Sequence, residues 1–157
     1  MDGRTRALVL GSLPGEVSLA QGQYYAHPQN QFWRLIGAVV GEELTGLGYP
    51  ERLERLLEAG VGLWDVIATA ERAGSLEAAI RGRRPNQLAE LAQGLPRLRA
   101  IGFNGGTSAR IGRRALEGLG GWSLLPLPSS SPAFTRPFEE KKGAWMQLRP
   151  FLGQAKA

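Results

Sequence analysis

The stretch Ala7-Leu-Val-Leu-Gly-Ser-Leu-Pro-Gly-Glu-Val-Ser-Leu-Ala-Gln-Gly-Gln-Tyr-Tyr-Ala-His-Pro-Gln-Asn-Gln-Phe-Trp33 decides the fold. Its apolar opening reads as a buried strand over residues 6–13 that runs straight into a Gly/Pro turn. Such a turn puts the last strand residues at the carboxyl edge of a sheet, where α/β proteins gather their ligands. Tyr24, Tyr25, His27 and Asn30 then follow in close succession, four side chains able to hydrogen-bond or to stack on a flat heterocycle. From Phe32 the apolar residues take helical spacing, so a polar loop is expected between a strand and a helix over 31–40.

Outward from this stretch, strand and helix signals alternate. Pro50 in a first turn and Leu53, Leu56 and Leu57 on one side predict a helix over 50–59. A short strand over 61–67 should end near Asp65. Helical spacing returns at 75–80, behind a Ser75 cap, and at 86–93. A third strand is expected over 98–103, then a helix opening at Asn104-Gly-Gly-Thr-Ser with Ile111, Leu116 and Leu119 inward. A strand over 122–127 and a final helix over 137–152, with Trp145, Leu148 and Leu152 inward, complete the chain. The alternation predicts a three-layer α/β/α sandwich around a mainly parallel sheet of about four strands. Residues 1–157 are expected to form one domain, without internal repeat or linker.

The net charge of +5 and the pI near 10.2 favour an anionic partner. Arginine carries most of that charge, since lysine occurs only at 141, 142 and 156. The chain has no cysteine, one histidine and, beyond Asp2, a single aspartate, Asp65, too few ligands for a zinc site. No phosphate-loop or dinucleotide fingerprint occurs, so neither metal nor cofactor is expected. No apolar run approaches a membrane span, and a cytoplasmic monomer that meets no membrane is the expectation.

In a parallel sheet, the loops after all the strands meet at one edge. That edge would gather residues 11–30, Asp65, Asn104-Gly105-Gly106 and Ser129-Ser-Ser-Pro-Ala133. A Ser-His-Asp arrangement would need His27 to reach both Asp65 and Ser12 or a loop serine. Otherwise the edge offers amide, hydroxyl and aromatic chemistry, suited to holding a neutral base and a water. Taken alone, Asn30 before a helix is an N-cap, Asn104 a turn former or a base-reading amide, and Tyr25 a loop anchor or a stacking platform.

Gly11-Ser-Leu-Pro-Gly-Glu16 with Tyr24-Tyr-Ala-His-Pro-Gln-Asn-Gln-Phe-Trp33 resembles the first motif of the hypoxanthine-DNA glycosylase branch of the uracil-DNA glycosylase superfamily. Ser129-Ser-Ser-Pro-Ala133 resembles its second motif. Gly62-Leu-Trp-Asp-Val-Ile67 and Gly102-Phe-Asn-Gly-Gly-Thr107 resemble strand ends of the same branch. The resemblance implies a base-excision-repair enzyme that flips a deaminated base, hypoxanthine above all, out of duplex DNA and hydrolyses its N-glycosidic bond. It implies Asn30 as the catalytic amide, with Asn104 beside it. Tyr25, Leu13, Pro14, Gly15 and His27 would form the base site, His27 as a loop anchor. Ser129, Ser130, Ser131, Pro132 and Ala133 would form the DNA-contacting loop, their amides and hydroxyls facing phosphate oxygens.

Leu13 stands where many relatives carry a water-orienting Asn, which argues against efficient uracil removal. A uracil or G:T/U mismatch glycosylase, and a noncatalytic nucleic-acid-binding module, are the alternatives. Phe134 would be an apolar wedge or a core residue. No lysine lies in the candidate loops, so base removal without strand cleavage is expected. Such an enzyme would sit with the nucleoid while acting.

Overall fold

The computed structural model describes residues 1–11, 24–26, 29–65 and 87–152. Among these, β1 (Ala7–Gly11), β2 (Val61–Asp65), β3 (Ala100–Asn104) and β4 (Ser123–Leu127) form one sheet in the order β2-β1-β3-β4. All pairings are parallel, with Ala7 opposite both Val61 and Ala100, and Ala100 opposite Ser123. The central strand β1 is buried throughout. An apolar run without alternation is what a strand covered on both faces requires.

Side chains alternate across that strand and build two cores. Ala7 and Val9 pack with Phe32, Leu35, Ile36 and Val39 of α1 (Phe32–Val40), Leu56 of α2 (Tyr49–Ala59), and two residues near the C-terminus, Trp145 and Leu148. Leu8 and Leu10 pack on the other face with Leu88 and Ala92 of α3 (Gln87–Gln93), and with Ile101, Phe103 and Leu116 around α4 (Gly106–Ala115). Burying each large apolar side chain contributes roughly 1.5–3 kcal/mol, so the two layers hold the strand ends in fixed register.

The expected three-layer fold is what the chain adopts, with differences in detail. The final segment is not one helix: α5 (Phe138–Trp145) gives way to a 3-10 helix, Met146–Leu152, containing Pro150. Proline lacks an N–H and its ring opposes the carbonyl four residues back, here that of Met146. Leu53 and Leu119 are exposed rather than inward. The third strand starts at Ala100 and includes Asn104. The expected helix over 75–80, and residues 12–13 of the first strand, lie outside the described residues.

The strand order fixes where a ligand can sit. The chain leaves β1 through α1 and α2 on one face to reach β2, and leaves β3 through α4 on the other face to reach β4. Loops therefore diverge from the carboxyl ends of β1 and β3, and the crevice between them is a topological switch point. Gly11 and Asn104 end those two strands.

Candidate active site

Four polar side chains from separate parts of the sequence meet at this crevice in one hydrogen-bonded chain. The Ser130 N–H donates to Asn104 Oδ1 at 2.9 Å, which fixes the orientation of that amide. Asn104 Nδ2 therefore donates, to Ser130 Oγ at 3.0 Å and to the Tyr25 hydroxyl oxygen at 3.3 Å. Ser130 Oγ, having accepted from Asn104, donates to Asn30 Oδ1 at 2.7 Å. Asn30 Oδ1 also accepts the Phe32 N–H at 2.9 Å. Both acceptor positions of Asn30 are thus filled, and its NH2 group is left without a partner among the described residues. The Tyr25 hydroxyl hydrogen is left in the same condition.

Local structure explains each position. Asn30 lies one residue before Gln31, the N-cap of α1, and its Oδ1 accepts the N–H of Phe32, the first helical residue. Ser130 is 1 % exposed. Its loop is tied to the start of α1 by Gln31 N–H donating to the Ser130 carbonyl at 3.0 Å. Gly105, with φ at +96°, turns the chain between β3 and α4 beneath Ser129, where a Cβ would sit 3.4 Å from the serine Cβ.

Tyr25 lies at φ +53°, a left-handed conformation that costs a bulky residue about 1 kcal/mol or more. Its ring stacks on Phe32 with centroids 4.0 Å apart and planes 17° from parallel. One face of the ring is thus covered by the core. Burial raises the Tyr25 pKa well above the usual phenol range, against the opposing effect of the Asn104 hydrogen bond. Burial also pushes Tyr24 up to about 12.

On the other side of Gly11 stands Asp65, at the end of β2. A Cβ on Gly11 would lie 2.7 Å from Asp65 Oδ1 and 3.0 Å from the Tyr25 hydroxyl, so the glycine makes room for both. Burial pushes the Asp65 carboxyl up to about 6. No cation or hydrogen-bond donor among the described residues offsets that burial. A partly buried carboxyl left unpartnered at a strand end is a feature of sites that complete themselves with a ligand.

Of the residues expected at the site, Tyr25, Asn30, Asn104 and Ser130 are brought together. Ser129, Ser131, Pro132 and Ala133 continue the loop beside them. Leu13, Pro14, Gly15 and His27 lie outside the described residues, as does Ser12. Ser130 proves to be the hinge of the polar chain rather than a surface contact.

Within the serine loop, Ser131 N–H donates to Ser129 Oγ, Ala133 N–H to Ser131 Oγ and Phe134 N–H to the Ser131 carbonyl, each at 3.1 Å. These amides are therefore spent inside the loop, and the hydroxyl hydrogens of Ser129 and Ser131 remain for an outside acceptor. Phe134 is 40 % exposed and so is not a core residue. Lys141, absent from every candidate loop, lies beneath this one. The sequence held a signal for it: Lys141 shares the inward stripe of Trp145 and Leu148 at helical spacing.

Comparison with known proteins bears on the whole fold. A family model, described as the uracil DNA glycosylase superfamily, matches residues 1–149. The chain is 39 % identical over 147 residues to the hypoxanthine DNA glycosylase of Methanosarcina barkeri (strain Fusaro / DSM 804), covering 94 % of this chain and 92 % of that protein. It is 37 % identical to the protein of the same name from Methanosarcina acetivorans, covering 92 % and 90 %. A solution NMR structure from Methanosarcina acetivorans, described as a candidate uracil DNA glycosylase, superposes with a TM-score of 0.79 at 34 % identity, covering 98 % and 94 %. The sheet order, the amide and serine chain at its switch point and these near full-length matches have one reading: the chain belongs to the uracil DNA glycosylase superfamily.

Proposed function

We propose that the protein is a monofunctional DNA glycosylase of base excision repair that hydrolyses the N-glycosidic bond of deoxyinosine, flipped out of duplex DNA. The reading is supported by the two named relatives and by the way the site directs its hydrogens. Among the described residues, Asn30 keeps two N–H donors and Tyr25 one O–H donor unengaged, while Asp65 supplies a carboxyl. Hypoxanthine presents three acceptors, O6, N3 and N7, and one donor, N1–H. The two sets are complementary.

That complementarity serves the chemistry as well as binding. When the C1′–N9 bond breaks, its electron pair passes into the purine, and fixed donors against the base stabilise the developing charge. The sugar becomes oxocarbenium-like and is captured by water, whose oxygen forms the new bond to C1′ while a proton from that water ends on the departing purine. The Asn30–Ser130–Asn104 chain is held by α1, β3 and the loop after β4, so the donors need little reorganisation in the transition state. Extrusion of the nucleotide costs a few kcal/mol. Phe134, exposed on the serine loop with Arg136 5.9 Å from its ring centroid, would fill the vacated stack.

The observation that carries the reading is the Ser130 Oγ to Asn30 Oδ1 hydrogen bond, which turns Asn30 into a donor. Asn30→Ala tests it. Release of hypoxanthine should fall at least about 100-fold, on the scale of a lost transition-state donor, while duplex affinity stays within a few-fold. Loss of affinity with unchanged single-turnover release would instead make Asn30 a binding residue.

A further inference from the structure

A cation lies covered under the serine loop, with no counter-ion among the described residues. Lys141, on α5, is 1 % exposed. Its Nζ donates to Gln31 Oε1 at 2.9 Å and to the Ser131 carbonyl at 3.2 Å, and lies 5.5 Å from the Phe134 ring centroid. Those oxygens are neutral. The acidic residues of the same helix are engaged elsewhere, Glu140 with Arg136 and Glu139 with Lys142. Among the described residues no carboxylate pairs with Lys141, and burial lowers its pKa below the usual lysine range.

Covering a charge without an opposite one is costly, so an uncompensated lysine needs a reason. A loop brace alone gives none, because a neutral donor would hold Gln31 and Ser131 equally well. The loop above supplies the reason. Its amides at Ser130, Ser131, Ala133 and Phe134 are already satisfied within the protein, leaving mainly the hydroxyl hydrogens of Ser129 and Ser131 to meet an anion. An outwardly neutral loop holds an anion weakly. One charge beneath it changes that: Nζ lies against the Ser131 carbonyl and the Phe134 ring, and Pro132, Ala133 and Phe134 of the same loop are exposed.

We propose that Lys141 is the charge of a backbone-phosphate site on the serine loop, a buried cation whose counter-ion arrives with the DNA. The site takes one phosphodiester through the Ser129 and Ser131 hydroxyls, and Lys141 acts on it through the loop rather than by direct contact. It is a positioning residue, and its contribution is blind to base identity. The inference rests on the serine loop being the DNA-contacting loop, and can be read on undamaged duplex without reference to hypoxanthine.

The test is the salt dependence of duplex binding by the full chain, as wild type, Lys141→Met and Lys141→Gln. Met keeps the stem without charge or hydrogen bond; Gln keeps a donor without charge. Neutralising one phosphate gives a slope of about −0.9 in log K against log salt. Both variants should lose up to about that much slope and bind damaged and undamaged duplexes about 3–10-fold more weakly at low salt. Thermal unfolding of the free variants should occur no lower than in wild type. An unchanged slope in Lys141→Met, or full recovery of slope and affinity in Lys141→Gln, would make Lys141 a structural tether and overturn the inference alone. Absence of any duplex binding by the wild type would overturn both this inference and the glycosylase reading.

Discussion

Asp65 shows how much a single residue's surroundings decide. Burial pushes its carboxyl up to about 6. A folded-state pKa above the unfolded value of 3.8 means that the native state binds the extra proton. Stability from this group is therefore full below about pH 4 and is lost as pH rises through 6. Asp65→Asn should remove that loss. At pH 7.5 the variant should be more stable than wild type by roughly 1–3 kcal/mol in urea unfolding, with the gain vanishing near pH 4. A gain independent of pH would mean that the aspartate is strained by packing instead of by its charge. At this scale the sequence was legible only where a motif carried the residue. Asn30 and Asn104 stood out by resemblance, whereas the burial of Asp65 and the cover over Lys141 are tertiary facts made by residues distant in the chain.

Elements were read from their punctuation. The strand end at Leu127, just before Pro128, and the start of α2 at Tyr49-Pro50, just after Gly48, follow turn and breaker residues visible in the sequence. The break between α5 and the 3-10 helix was also written there, in Pro150, but apolar spacing through Trp145 and Leu148 concealed it. The junction of β1, β2 and the Tyr25 segment is the tightest at the site. Gly11→Ala would drive a methyl into Asp65 Oδ1 and the Tyr25 hydroxyl, at 2.7 and 3.0 Å. The expected outcome is a stability loss of about 1–3 kcal/mol in denaturant unfolding, with base release down by about tenfold or more. Wild-type activity in Gly11→Ala would show that Tyr25 and Asp65 need not keep their spacing. What the sequence could not tell was the consequence of Ser130 reaching both amides, because that depends on β3 and β4 lying side by side.

The whole molecule combines a switch-point crevice with a net charge of +5. Duplex binding should weaken as salt rises, whether or not the duplex is damaged. The lysines near the serine loop are engaged: Lys141 with Gln31 and Ser131, and Lys142 with Glu139. Base release should accordingly leave an intact abasic strand, without borohydride-trapped enzyme, as denaturing gels before and after alkali would record. On the proposed reading, the amide, hydroxyl and carboxyl set at the crevice serves a departing deaminated purine. The most direct measurement is single-turnover base release from matched duplexes carrying deoxyinosine, deoxyuridine or a G:T mismatch, for wild type and Asn30→Ala. Release should be fastest from deoxyinosine and lost in the variant. Release confined to deoxyuridine or the mismatch, or equal release by the variant, would contradict that reading.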